Sequence, residues 1–223
     1  MGNLAPPTES VVVPRTIHVV THPEATHHVD GLVGGQFDSD LTHAGLADAQ
    51  AIGAALRARV PAGGDICLVS SDLRRTWQTA LAIAEHLDVV PVADPWLREK
   101  SYGEAEGRSQ AWLDERFVPP PATGERMHHH EGIRGSETRA QLATRAYAAL
   151  ERVLAQEVEH HVVVTHGYAA QLFIAGWLGL PIEAAGLVGF ALTSGGITEL
   201  HQNDRLHNRA LVRLNDTTHL TAR

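Results

Sequence analysis

The first strongly apolar, β-branched run is Thr16-Ile17-His18-Val19-Val20-Thr21, short and bounded by polar segments. Six residues of that kind predict a buried β-strand. A loop rich in His and Gly follows, and then Asp38-Ser39-Asp40-Leu41-Thr42 gathers capping residues ahead of an Ala-rich stretch. That order predicts a helix over 43–60, ended by Pro61-Ala62-Gly63-Gly64. The pattern then repeats, with a strand over 66–70, a Ser-Ser-Asp turn and a helix over 72–87 whose first turn Ser71 or Asp72 can cap.

Strand, helix, strand, helix predicts parallel βαβ packing with right-handed crossovers. Residues 89–134 break the rhythm with Pro91, Pro95, Pro119, Pro120, Pro121 and a triple histidine. Such a segment reads as an excursion over one end of the sheet, with at most one short helix near 109–117. Regularity returns with a helix over 136–158, a strand over 161–165 and a helix beginning after Gly167. Apolar and polar residues then alternate through 187–192, 197–201 and 210–214, which predicts two or three closing strands. The expected architecture is α/β: a three-layer sandwich with a central mostly parallel sheet, helices on both faces and a small cap. A tail at 1–14 precedes one domain at 15–223, with the cap at about 89–134.

Composition narrows the function classes. The 223 residues carry 26 acidic against 18 basic groups, a formal net charge of −8. With its basic residues scattered, the chain lacks the long-range attraction that nucleic acid or an anionic membrane requires, so neither is expected as a partner. A single cysteine, Cys67, lies in an apolar run and reads as a small buried hydrophobe; it cannot form an internal disulfide. The first residues have no basic flank ahead of an apolar stretch, and the apolar-looking stretch at 178–197 is broken by Pro181, Glu183 and glycines. Neither a signal peptide nor a membrane span is expected, and the expected location is the cytoplasm. Oligomeric state stays open, a homodimer included.

The unusual count is fifteen histidines, the side chain that titrates near neutrality and transfers protons and phosphoryl groups. In an open α/β sheet, ligands bind beyond the carboxyl ends of the strands. Three predicted strand ends deliver Thr21-His22-Pro23-Glu24, Ser70-Ser71-Asp72-Leu73-Arg74-Arg75 and Thr165-His166-Gly167, each with a helix soon after. Two histidines and an arginine beside helix N-termini would form an anion pocket with a nucleophile in it.

Those three segments, with Leu97-Arg98-Glu99, resemble the ordered signature of the histidine phosphatase superfamily, which includes phosphoglycerate mutases. Gly35, Asp38-Ser39, Leu41-Thr42, Gly45 and Asn215-Asp216-Thr217-Thr218-His219-Leu220 extend the resemblance along most of the chain. It implies that His22 is the nucleophile, that His166 hydrogen-bonds phosphoryl oxygens, that Arg75 neutralises their charge and that Glu99 is the proton donor. Glu104 and Glu106 remain alternative acids. No metal or other cofactor is demanded, and the implied partner is a small phosphorylated substrate hydrolysed through a phosphohistidine.

The first motif departs from the superfamily's Arg-His-Gly-Glu: Thr21 replaces Arg and Pro23 replaces Gly, while His28 stands where an Asn is common. The missing cation leaves three readings. His28 is favoured as the replacement donor beside His27 and Thr21, with Lys100, Arg134 and the cap histidines His128, His129 and His130 as further candidates. A metal held by His22, His166 and His28, with or without Glu99, is the second. A binding protein without catalysis is the third.

Overall fold

The computed structural model describes residues 14–61, 63–203 and 205–220. The tail expected through Pro14 lies, Pro14 apart, outside the described residues. Six strands form one sheet: β1 (Arg15–Thr21), β2 (Ile66–Ser70), β3 (Val92–Ala93), β4 (His160–Thr165), β5 (Ile197–Gln202) and β6 (Arg209–Asp216). They lie in the order β3-β2-β4-β1-β5-β6. The β2/β3, β2/β4 and β1/β4 pairs are parallel, and β5 runs antiparallel to both β1 and β6. The sheet is therefore mixed, with one reversed strand.

Period-two alternation sorts each central strand between two cores. Ile17, Val19, Val69 and Val163 face one side, packed on α5 (Arg139–Leu154) and α6 (Gly167–Trp177) through Leu150, Val153, Phe173 and Trp177. Val20, Leu68, Val162 and Val164 face the other, against α2 (His43–Arg59) and α3 (Arg74–Leu87) through Ile52, Leu56, Ile83 and Leu87. Helices on both faces bury β4 completely, which is why His160–Thr165 is almost continuously apolar in its second half.

Thr42 caps α2 by accepting from Gly45 N at 3.0 Å. A Cβ at Gly45 would stand 2.1 Å from Glu24 O, so only glycine lets this first turn lie against the loop that follows β1. That loop contains the short helix α1 (Thr26–Val29). The expected short helix near 109–117 is α4 (Gln110–Asp114), capped by Ser109. A last short helix, α7 (Ile182–Ala185), precedes β5.

Several expectations need correction. α3 starts at Arg74, with Leu73 at its N-cap; Arg74 N donates instead to Asp38 Oδ1 at 2.7 Å, so an acidic loop residue does what Ser71 or Asp72 was expected to do. α5 is shorter than 136–158, because the Thr138 and Gln141 capping box sets its start. Residues 187–192 form no strand: Leu187 and Val188 are exposed, while Phe190 and Leu192 pack onto the outside of the first core. β3 was hidden among prolines.

Candidate active site

Parallel pairing in register brings the carboxyl ends of β1, β2 and β4 to one rim, with Thr21 opposite Thr165 and Ser70 opposite Val164. Backbone bonds continue past the strands: His22 N donates to Thr165 O at 3.1 Å and Ser71 N to Val164 O at 2.9 Å. At this rim lies a cavity of about 340 Å³ whose lining includes Thr21, His22, His27, His28, Arg75 and Glu99.

His22 is buried, and its Nδ1 stands 2.7 Å from Pro23 O. A carbonyl only accepts, so Nδ1 carries the proton and Nε2 keeps its lone pair. Burial, and then Arg75 beside it, holds the ring well below the ordinary histidine range and neutral at pH 7. A neutral imidazole with a fixed tautomer has the electronic state a nucleophile needs. Arg75 Nε donates to His22 Nε2 at 3.1 Å. The same guanidinium donates through Nη1 to Phe37 O at 2.8 Å and through Nη2 to Gly35 O at 2.6 Å. Burial lowers Arg75 to about 10, which leaves it charged at neutral pH.

Three further imidazoles surround His22. His28 stacks on it, with ring centroids 5.6 Å apart and planes at 13°, and His27 lies 4.0 Å from His28. His28 Nδ1 accepts from Ala25 N at 3.1 Å, so its proton is on Nε2, a donor. Burial and His28 drive His27 down to about 3, and burial followed by Arg75 lowers His28. His166 packs edge-on to His22 at 5.1 Å, its Nε2 2.9 Å from Ser71 Oγ. Burial and then Arg75 also hold His166 well below its usual range.

Glu99 reaches the cavity from the segment after β3 and meets the start of α6. Its Oε2 accepts from Tyr168 N at 3.0 Å, and its Oε1 from Ala169 N at 3.1 Å and Lys100 N at 2.8 Å. Anions are favoured at a helix N-terminus, and three donors fix the carboxylate's place. Oε2, with one bond, retains capacity for a proton. The alternative acids sit elsewhere: Glu106 Oε1 ties Ser101, Tyr102 and Gln36 together, and Glu104 pairs with Arg134.

Thr21 Oγ1 donates to Thr193 O at 2.6 Å, so its hydroxyl locks β1 to the loop before β5. The remaining charge candidates are not gathered here. Lys100 is fully buried in a pair with Glu131 at 2.9 Å, and Arg134 is exposed on Glu104. His128 N donates to Glu125, while His129 Nε2 meets Val118 O at 2.7 Å and its ring stacks on His130. None of Arg134, His128, His129 and His130 lines the cavity. Among the described residues no three His, Cys, Asp or Glu side chains are grouped as a metal site, and no helix is long and apolar enough to cross a membrane.

The structure adds residues that the sequence did not single out. Arg145 of α5 donates to Glu99 O at 2.7 Å and to the carbonyls of Trp96 and Arg98, while Glu137 grips its other edge at 2.7 Å. It holds the segment carrying Glu99 from a distance of 46 positions along the chain. Gln110, Leu113 and 192–194 line the cavity as well. Only their common placement in three dimensions reveals them.

The strand ends of this α/β sheet thus set a neutral imidazole beside a buried guanidinium, an arrangement of the class that can seat an anion next to a lone pair. A family model describes the chain more narrowly: residues 17–217 match the histidine phosphatase superfamily (branch 1), and the chain belongs to it. It is 34% identical over 177 residues to a Proteus mirabilis (strain HI4320) protein named "Probable phosphoglycerate mutase GpmB", covering 75% of this chain and 77% of that one. It is 29% identical over 181 residues to the glucosyl-3-phosphoglycerate phosphatase of Mycobacterium tuberculosis (strain ATCC 25618 / H37Rv), with the same shares of 75% and 77%. A solved structure of mycobacterial glucosyl-3-phosphoglycerate phosphatase in complex with VO3 matches with a TM-score of 0.74 at 26% identity, covering 91% of this chain and all of that one.

Proposed function

We propose that this protein hydrolyses a small-metabolite phosphate ester through a phosphohistidine on His22. The observation that carries the reading is the fixed neutral tautomer of His22, with Nδ1 on Pro23 O and Nε2 against Arg75, inside a cavity that also holds Glu99. In the first step the Nε2 lone pair attacks phosphorus, the ester P–O bond breaks, and protonated Glu99 gives its proton to the leaving alkoxide. In the second, Glu99 takes a proton from water as the water attacks phosphorus. The P–N bond breaks, returning neutral His22 and inorganic phosphate. Phosphoryl transfer needs mainly in-line positioning and stabilised equatorial charge, which is what these groups supply.

Arg75 Nε donates to the His22 lone pair. An entering phosphoryl group draws that donor onto its own oxygens, so binding frees the nucleophile. Thr21 and Pro23 stand where the superfamily resemblance expects Arg and Gly, and the Thr21 hydroxyl is committed to Thr193 O. The cationic character of the seat therefore falls to Arg75, with the Nε2–H of His28 as a neutral donor beside it.

The test is release of inorganic phosphate from sugar, nucleotide and small-metabolite phosphates, from about pH 5 to about pH 8, with and without chelator. Chelator-resistant turnover that His22→Ala abolishes, with label trapped on His22 of the wild type, is expected. Turnover that survives His22→Ala overturns the phosphohistidine, and turnover lost to chelator favours a metal instead.

A further inference from the structure

The cavity wall beyond the phosphate seat carries no second cation among the described residues. Leu32, Val33, Leu113 and Leu192 supply apolar lining, and Gln110 and Thr193 supply neutral polar groups. Val33 and Leu113 belong to one hydrophobic cluster with Ala105 and Ile133, against which Tyr102 and Trp112 pack. Burial keeps the Tyr102 hydroxyl protonated far above neutrality, so it adds no charge of its own.

The basic residues of this region are engaged elsewhere. Lys100 is buried on Glu131 and Ser136, with its ammonium 4.2 Å from the centre of the Tyr102 ring. Arg139 lines a separate cavity that shares Tyr102 with the first, and it faces Glu131 at 3.8 Å. Arg75 is the one guanidinium in the phosphate cavity among the described residues, and two backbone carbonyls and His22 already take its donors.

Resting on the phosphatase reading, we infer that the substrate's leaving group is uncharged and partly apolar, with no carboxylate close to the ester. A carboxylate one or two carbons from the phosphate would enter this cavity as a second anion. It would lose its water among Leu32, Val33, Leu113 and Leu192, with no Lys or Arg side chain other than Arg75 on the lining to meet it. Unpaired charges are what such surroundings reject most strongly. A hydroxymethyl group in the same place keeps hydrogen bonds available from neutral groups such as Gln110 and Thr193. Discrimination thus comes from the missing partner for a charge, as well as from the shape of the pocket.

Glycerol 3-phosphate and 3-phosphoglycerate form the matched pair for the test, since they differ by a hydroxymethyl against a carboxylate at equal chain length. Binding of each to full-length His22→Asn protein, measured by calorimetry, reads the preference without turnover. Glycerol 3-phosphate is expected to bind at least about a hundredfold more tightly, the scale on which a site rejects an unmatched polar group. In Gln110→Arg, where an exposed helix residue places a cation at the cavity, the ratio is expected to narrow by about tenfold or more. Equal affinities, or no binding by either ester, overturn the inference. Loss of phosphate release by the wild type on every ester, with the affinity difference intact, overturns the phosphatase reading and leaves the ligand class standing.

Discussion

Arg75 Nε stands 3.1 Å from His22 Nε2, and both side chains are almost wholly buried. A permanent cation thus rests on the lone pair of a neutral imidazole, which lowers the histidine's proton affinity and aims two functional groups at one point. Arg75→Lys keeps a charge and loses the fork that also reaches Gly35 O and Phe37 O. A fall of ~10²–10³ in kcat/KM is expected, as for loss of one preorganised donor to developing charge. Arg75→Ala should additionally unfold at lower temperature, because each carbonyl left unpaired costs about 1–3 kcal/mol. Steady-state kinetics and thermal melts separate the two effects.

Arg145 touches the Glu99 segment only through backbone carbonyls, so it is a positioning residue. Arg145→Met is expected to lower kcat by ten- to a hundredfold, the scale of a misplaced catalytic group, with a much smaller change in inorganic phosphate affinity. A structural collapse of the site would weaken both together. Arg145→Lys, which keeps a donor toward those carbonyls, is expected to recover part of the lost kcat.

Legibility in the sequence followed the range of the interactions. The strands that carry the site were visible because β1, β2 and β4 are buried runs set by period-two contacts with both cores. His22, Arg75, Glu99 and His166 were readable because each follows or closely neighbours a strand end or matches a family motif. Arg145 and the residues at 192–194 carry no local signal, since their roles depend on packing between distant segments. Residues 187–192 misled for the opposite reason: the alternation is real, yet β5 and β6 already complete that side of the sheet, so those side chains cover a core from outside. Lys100 looked like a free cation beside Glu99, and Glu131, which pairs with it from 31 positions on, gave no hint.

His28 faces His22, His27, Glu24 and Arg75, and burial followed by Arg75 holds its pKa below the ordinary value. A bound dianion favours the protonated ring, so anion binding and proton uptake should be linked. Sulfate stays doubly charged over the range, which leaves the protein as the source of any pH dependence. Its inhibition constant is expected to fall as the pH drops from about 8 to about 5.5, by at most about tenfold per unit for each proton taken up. His28→Gln should flatten that slope. An unchanged slope would remove His28 from the anion seat.

Two histidines far from the site give the fold itself a pH dependence. His18 of β1 and His161 of β4 are buried on opposite faces of the central sheet, and each is lowered to about 4, chiefly by burial. In the unfolded chain both titrate near the ordinary value of about 6.5. Between those values the unfolded chain holds more protons than the folded one, so stability rises with pH across that window. The contribution is complete above pH ~6.5 and is lost as the pH falls through about 4. Asp216, lowered by its bonds to Thr218 and by Arg213, weakens the fold only at more acid pH, which separates the two effects. The thermal midpoint is therefore expected to drop steadily as the pH is lowered from about 6.5 to about 4, and His161→Leu with His18→Leu should reduce that slope, the remainder belonging to the buried histidines of the cavity, His22, His27 and His166 among them, which are lowered as well. A double variant with the wild-type slope would place the acid sensitivity in other groups, and the protonation of the central strands would no longer account for it.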